Sequence, residues 1–132
     1  MKNRWKRSKG SVYNIGYHII WCTKYRRKVL VNNVDVRLKE LLYEQSDKNG
    51  YELISLEIIC DYVHIFIKCD PTNSPHQIVQ QLKGYTSRIL RSEFPYLKTR
   101  IPTLWTRSYY CESVGHMSQE TIVKYISDQK TK

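Results

Sequence analysis

Apolar and polar residues alternate from Ser11 to Trp21, with Tyr13, Ile15, Tyr17, Ile19 and Trp21 on one face, and this period of two predicts a strand. After the basic stretch Lys24-Tyr25-Arg26-Arg27-Lys28, the period changes. Val34, Leu38, Leu41, Leu42 and Gln45 recur at helical spacing, and Asn49-Gly50 supplies a helix stop. Two further strand-like runs, Tyr51 to Ile59 and Tyr62 to Cys69, flank a tight turn near Cys60-Asp61. Asp70 through Pro75 reads as a loop. A long amphipathic helix follows from about His76 to Glu93, burying Ile78, Val79, Leu82, Ile89 and Leu90, until Phe94-Pro95 ends it. A last strand is expected over about Leu104 to Val114, broken at Gly115. Ser118 is placed to cap a short final helix reaching about Gln129.

The resulting order is βαββαβ with one helix added at the C-terminus. It predicts an α+β, ferredoxin-like fold: an antiparallel sheet with helices on one face, plus a C-terminal helix that carries Tyr125. No repeat, low-complexity stretch or linker divides the 132 residues, so residues 1–132 are expected to form one domain. In such folds the open sheet face commonly receives nucleic acid.

Charge narrows the reading. The chain has 22 Lys plus Arg against 12 Asp plus Glu, a formal +10, which favours a polyanionic partner through counterion release. Apolar residues at 41% and charged residues at 26% are ordinary for a globular protein and argue against disorder. No apolar run approaches the roughly 20 residues of a membrane span. The basic start, Met1 to Lys9, is not followed by an apolar signal segment, so a cytoplasmic location is expected. Cys22, Cys60, Cys69 and Cys111 lack C-x-x-C or metal-finger spacing and read as reduced, mostly buried small hydrophobes.

Two groups carry chemistry. Strand period puts Tyr62, His64 and Phe66 on the face opposite the core residues Val63, Ile65 and Ile67, so His64 stands beside Tyr62 on the ligand-accessible side. On the last helix, Tyr125 and Gln129 are four residues apart and share a face. A tyrosine can form a covalent phosphodiester intermediate, but its pKa of about 10 requires a metal or a neighbouring cation to activate it. Taken alone, Tyr125 better fits simple packing with Ile122 and Ile126, and His64 a surface or packing role.

Five segments change that balance. Tyr17-His18-Ile19-Ile20-Trp21-Cys22-Thr23-Lys24-Tyr25-Arg26-Arg27, Asp61-Tyr62-Val63-His64, Lys83-Gly84-Tyr85-Thr86-Ser87-Arg88-Ile89-Leu90-Arg91, Leu104-Trp105-Thr106-Arg107-Ser108-Tyr109-Tyr110 and Val123-Lys124-Tyr125-Ile126 occur in this order. Together they resemble, over nearly the whole chain, the insertion-sequence 200/605 family of single-tyrosine transposases, related to the REP-associated tyrosine transposases. The resemblance implies a homodimer acting on hairpin-bearing single-stranded DNA at the ends of its own element. It implies Tyr125 as the nucleophile, a 5′-phosphotyrosine intermediate, a free 3′-hydroxyl, and no nucleotide cofactor. It also implies Mg2+ or Mn2+ held by a histidine pair and a polar residue on the tyrosine helix, here matching His64 and Gln129. In that family the tyrosine helix can serve the partner subunit's metal site.

One position departs from the pattern. The family motif is His-hydrophobic-His, and this chain has Tyr62-Val63-His64. A neutral phenol is a poor ligand for a hard divalent ion. Three accounts are open: Asp61 as a replacement ligand, a weaker site at Tyr62 completed by water, or a copy that binds DNA without cutting it. His18, Lys24, Tyr25, Arg26, Arg27, Lys83, Arg88 and Arg91 are the candidate DNA contacts, cations for phosphates with aromatic neighbours such as Tyr85 and Trp105 for unpaired bases. The rival reading is a binding module, either an impaired transposase or a ferredoxin-like single-strand binder. A third is a domesticated relative acting on dispersed palindromes, whose usual C-terminal extension has no counterpart after Gln129.

Overall fold

A computed structural model describes residues 6–8, 11–113 and 119–129. The expected first strand is divided at Asn14. Its beginning, β2 (Ser11–Tyr13), pairs with β1 (Lys6–Ser8) as a separate antiparallel ribbon, and its remainder, β3 (Ile15–Cys22), enters the main sheet. The helix α1 (Val34–Lys48) buries Val34, Leu38, Leu41 and Leu42 and ends where the Asn49 side chain bonds the Gln45 carbonyl at 2.8 Å. Gly50 follows with φ +76°, the left-handed conformation that glycine adopts without Cβ strain.

Strands β4 (Glu52–Ile59) and β5 (Tyr62–Cys69) form the expected hairpin. Helix α2 (Pro75–Glu93) starts where Ser74 accepts a bond from the Gln77 amide at 3.1 Å, with Pro75 at its first position. A short helix not expected from periodicity, α3 (Tyr96–Arg100), follows Pro95. The last strand is much shorter than its alternation suggests: β6 covers only Tyr110–Glu112. Leu104 and Trp105 are buried, but Trp105 makes only an isolated bridge to Thr23, and its indole N–H bonds Thr86 Oγ1 at 3.1 Å. These residues plug the core beside α2 and do not extend a ladder. The expected break at Gly115 and cap at Ser118 lie outside the described residues. Helix α4 spans Gln119–Asp128.

The main sheet is antiparallel with strand order β4-β5-β3-β6. This is the ferredoxin-like arrangement. Ile19, Trp21, Val63, Ile65 and Ile67 point to one face and form the large core with α1 and α2. The opposite face is only partly open, because α4 lies on it. Ile122 and Ile126 pack on Ile20 and Cys22, with Tyr62, Tyr110 and Tyr125 at the margins of this second, smaller core. Among the described residues, no helix is long and apolar enough to cross a membrane. All four cysteines are free thiols, Cys22 and Cys69 buried and Cys60 and Cys111 half-buried.

Candidate active site and nucleic-acid interface

Tyr125 faces the sheet from α4. Its ring is 5.8 Å from that of Tyr110 on β6, and its hydroxyl is 3.0 Å from Ser108 Oγ. Ser108 Oγ in turn donates to Gln129 Oε1 at 2.9 Å. A serine has one proton, so with that proton given to Gln129 the bond from Tyr125 must run phenol to serine. Burial pushes the Tyr125 phenol up to about 12, so near neutral pH it is held as the protonated phenol. The segment carrying Ser108 is fixed from below. Lys83, on α2, donates to the carbonyls of Thr106 at 2.5 Å and Ser108 at 3.2 Å, and burial lowers its ammonium to about 8. Tyr125 also lines a groove of about 320 Å³ with Tyr110, Thr121, Lys124 and Asp128.

The histidine lies two strands away on the same face. In register, His64 stands between Glu57 of β4 and Ile20 of β3, and Ile20 faces Tyr110 of β6. One row further along, His18 stands between Phe66 and Glu112. This diagonal brings His18 Nδ1 to 3.3 Å from His64 Nε2. Burial, then the neighbouring His18, lowers the His64 pKa, so the ring is held neutral. The His18 ring stacks on Phe66 with centroids 4.5 Å apart. That stack depends on Gly16, where a Cβ would come within 2.8 Å of Phe66 Cζ. Gly16→Ala therefore should lower stability by about 1–3 kcal/mol through overpacking, read as a fall in Tm. Phe66→Leu in the same background should recover most of the loss if that clash is its cause.

Tyr62 and Asp61 are placed differently. Burial, reinforced by Glu57 and Asp61, raises the Tyr62 pKa, so the phenol stays neutral. Asp61 is 5% exposed, and its carboxylate is engaged by Arg26, with Nη2 at 3.0 Å and Nε at 3.1 Å from Oδ2. Among the described residues, no three His, Cys, Asp or Glu side chains cluster closely enough to hold a metal ion.

The basic stretch after β3 is a short 3-10 turn, Lys24–Arg26, with Tyr25 at φ 59° and Arg26 at φ 52°. Non-glycine residues in this left-handed region carry local strain, which the surrounding contacts must hold. Thr23 supplies one, donating from Oγ1 to the Arg27 carbonyl at 2.7 Å. Tyr25, Arg26 and Arg27, with Lys28, Val29 and Arg100, line a groove of about 600 Å³. Tyr25 is exposed there, with Lys24 Nζ 5.0 Å above its ring. The remaining cations are elsewhere. Arg88, near the Tyr85 ring, and Arg91, bonded to the Ile101 carbonyl at 3.3 Å, sit on α2 across the sheet from α4.

Residues 11–129 match the protein family described as "Transposase IS200 like". The chain belongs to the IS200-like transposases. This transposase is 36% identical over 129 residues to the ISDra2 transposase TnpA of Deinococcus radiodurans, covering 96% of its own length and 92% of the relative's. It is 27% identical over 119 residues to the IS200 transposase of Salmonella typhimurium, covering 89% and 78% respectively. A crystal structure of a Deinococcus radiodurans R1 protein assigned as a transposase superposes with a TM-score of 0.88 at 39% identity, covering 94% of this chain and 97% of that one. A REP-associated tyrosine transposase bound to a REP hairpin shares the fold alone, with a TM-score of 0.57 at 8% identity over 96% of this chain and 68% of the other.

Transposases of this class generally depend on a metal ion. The donor set matched to that role fits unevenly in this transposase. His64 presents a neutral imidazole, whereas Gln129 Oε1 accepts from Ser108, Asp61 is paired with Arg26, and Tyr62 keeps its proton. Sequence reasoning singled out neither Ser108 nor the structural use of Lys83, although both lie inside segments of the family pattern. The only signal for Ser108 was its place within Leu104-to-Tyr110, because its contact with α4 spans 17 residues of sequence.

Proposed function

We propose that this chain cleaves and rejoins single-stranded DNA at the ends of a small insertion sequence, with Tyr125 as the nucleophile. The observation that carries the reading is the Tyr125 hydroxyl, bonded to Ser108 and lining a groove on the sheet face that also bears His64. The phenol oxygen attacks a phosphodiester phosphorus and forms the tyrosine–phosphate bond. The bond to the 3′-oxygen breaks, and that oxygen leaves as a hydroxyl, taking up a proton. Ser108 accepts a hydrogen bond from the phenol and orients its oxygen, and the phenol proton passes to solvent on attack, balancing the one taken up by the leaving 3′-oxygen. Attack by a 3′-hydroxyl on the 5′-phosphotyrosine reverses the step, so bond energy is conserved and no nucleotide cofactor is needed. A divalent ion held at His64 would, when bound, neutralise charge on the scissile phosphate.

The strand enters by the basic groove at Tyr25, Arg26, Arg27 and Arg100, where a stacking aromatic stands among phosphate-binding cations. Lys24 lies beside Gln129, Ser108 and Arg107 and links this groove to the tyrosine helix. A hairpin-bearing substrate is consistent with the REP hairpin bound by the fold relative. The active species is a homodimer in which α4 of one copy can serve the other.

The test uses single-stranded DNA carrying the element's flanking hairpins, incubated with the protein and Mn2+ and run on a denaturing protein gel. A covalent protein–DNA band with the hairpin-bearing strand is expected, and none with the fully duplexed sequence. A preference for duplex would contradict the proposal. Binding should also weaken with salt, log K falling by about 0.7 per neutralised phosphate per log unit of salt, measured by fluorescence anisotropy. The half-buried Tyr62 phenol, whose pKa burial raises, favours a second reading, a copy that binds DNA without cutting it. Hairpin binding with no covalent band would establish that instead.

A further inference from the structure

We infer that His18 and His64 together form a two-imidazole site for a divalent first-row transition ion, on the side of His64 away from Tyr62. This deepens, and rests on, the transposase reading above. The carrying observation is the 3.3 Å separation of His18 Nδ1 and His64 Nε2. Two imidazole nitrogens each about 2.0–2.1 Å from one tetrahedral ion lie roughly 3.3 Å apart, and a cis pair on an octahedral ion only slightly closer. Metal binding would replace the hydrogen bond between the two rings, with the donor ring shifting its proton to its other nitrogen so that both facing nitrogens present lone pairs.

The surroundings are those of a held site. His18 is 9% exposed, and Phe66 stacked on its ring, with Gly16 making room for Phe66, fixes the plane of the imidazole. His64 is locked between β3 and β4 by the ladder. One strand outward on each side the same face carries a carboxylate, Glu57 opposite His64 and Glu112 opposite His18. Such flanking acids commonly orient ligating histidines and raise their basicity. Tyr62 lies across from Cys22, one row beyond His64 and two beyond His18, so the pair that meets does not include it. Asp61 is excluded by its bonds to Arg26.

Two protein nitrogens leave the other coordination positions open to water and to phosphate oxygens, as a catalytic site requires. The donor type also sets a preference. Imidazole nitrogen suits transition ions, whereas Mg2+ prefers oxygen and dehydrates reluctantly. Mn2+ therefore binds this chain more tightly than Mg2+, and His18 serves as a metal ligand where the sequence suggested a DNA contact.

Mn2+ binding to the full chain, without DNA, provides the test. Loss of the free-ion electron paramagnetic resonance signal gives Kd, and nitrogen modulation of the spin echo counts imidazoles. Wild-type protein should show two imidazoles, with Mg2+ at least tenfold weaker in competition. His18→Phe, which keeps the stack on Phe66, and His18→Asn should each weaken Mn2+ at least tenfold and leave one imidazole, with Tm monitored to confirm folding. Tyr62→Phe should change Kd less than twofold. Wild-type protein that binds no Mn2+, folded His18 variants that bind it normally, or a larger loss in Tyr62→Phe would each overturn the inference. The covalent-capture gel reports separately on the transposase reading. Two-imidazole Mn2+ binding without any covalent band would leave the metal site standing and remove the proposed activity.

Discussion

Tyr125→Phe should eliminate the covalent DNA adduct, a loss of at least about 1,000-fold in its rate of formation, because no other group supplies the attacking oxygen. Hairpin binding should stay within about threefold, since the variant loses one hydroxyl and one internal hydrogen bond of roughly 1 kcal/mol. That bond is to Ser108, on the protein's own chain, and the ring contact with Tyr110 remains. Equal loss of adduct and binding would make Tyr125 a packing residue. The pH dependence of the wild type gives a second measure. With burial holding the phenol up to about 12, adduct formation limited by its ionisation should rise about tenfold per pH unit from 7 to 9 without a plateau. Stability should move the other way at higher pH. An unfolded tyrosine loses its proton near 10, whereas the folded one keeps it to about 12. Between those values the unfolded state is favoured by rising pH, and Tm should fall there.

Asp61→Ala should cost about 1–3 kcal/mol of stability and weaken hairpin binding severalfold, without altering Mn2+ affinity. The cost arises because removing one member of a largely buried ion pair leaves the other charge uncompensated. Arg26 is partly exposed, with a side-chain accessibility of 27%, so the loss should fall below the full cost of a buried pair. The binding effect follows from geometry. Arg26 and Tyr25 are held in left-handed conformations, and the Asp61 contact to Arg26 is one of the restraints on that turn. With it gone, the groove beside Arg27, Lys28 and Arg100 should lose its shape. Chemical denaturation, anisotropy with the hairpin strand and Mn2+ titration measure the three effects. A variant with normal stability and lost Mn2+ affinity would return Asp61 to the metal site.

Residues that answer to their immediate neighbours were legible in the sequence. The alternation of Val63, Ile65 and Ile67 with Tyr62, His64 and Phe66 is the observed division of β5 into a buried core face and a half-buried opposite face. Helix α2 ends at Glu93, where Phe94-Pro95 said it should. The misjudged region was Leu104 to Ser108, because a buried connecting segment and a strand present the same apolar residues. Only tertiary placement, Trp105 bonded to Thr86 beneath it, distinguishes them. The sequence marked candidate residues but not how they are arranged. His18 and His64 are 46 residues apart and meet only through the β3–β5 register, which no local pattern encodes. The charge of Lys83 was visible in the sequence, whereas its bonds to the Thr106 and Ser108 carbonyls, 23 and 25 residues away, left no local trace.

The helix bearing Tyr125 rests on the smaller of the two cores. Its buried anchorage is the side chains of Ile122 and Ile126 on Ile20 and Cys22, worth roughly 3–6 kcal/mol before ordering entropy is deducted, with the Tyr125 contacts to Tyr110 and Ser108 at its margin. Lifting α4 from the sheet is therefore far cheaper than melting the domain, and its amides should exchange with deuterium well before those of β3 or β5. Such a helix behaves as a latch. Under the proposed function, Tyr125 would be able to leave its own sheet and engage a second copy's while the rest of the fold stays intact, and the same modest contact that seats α4 would set how readily it is exchanged.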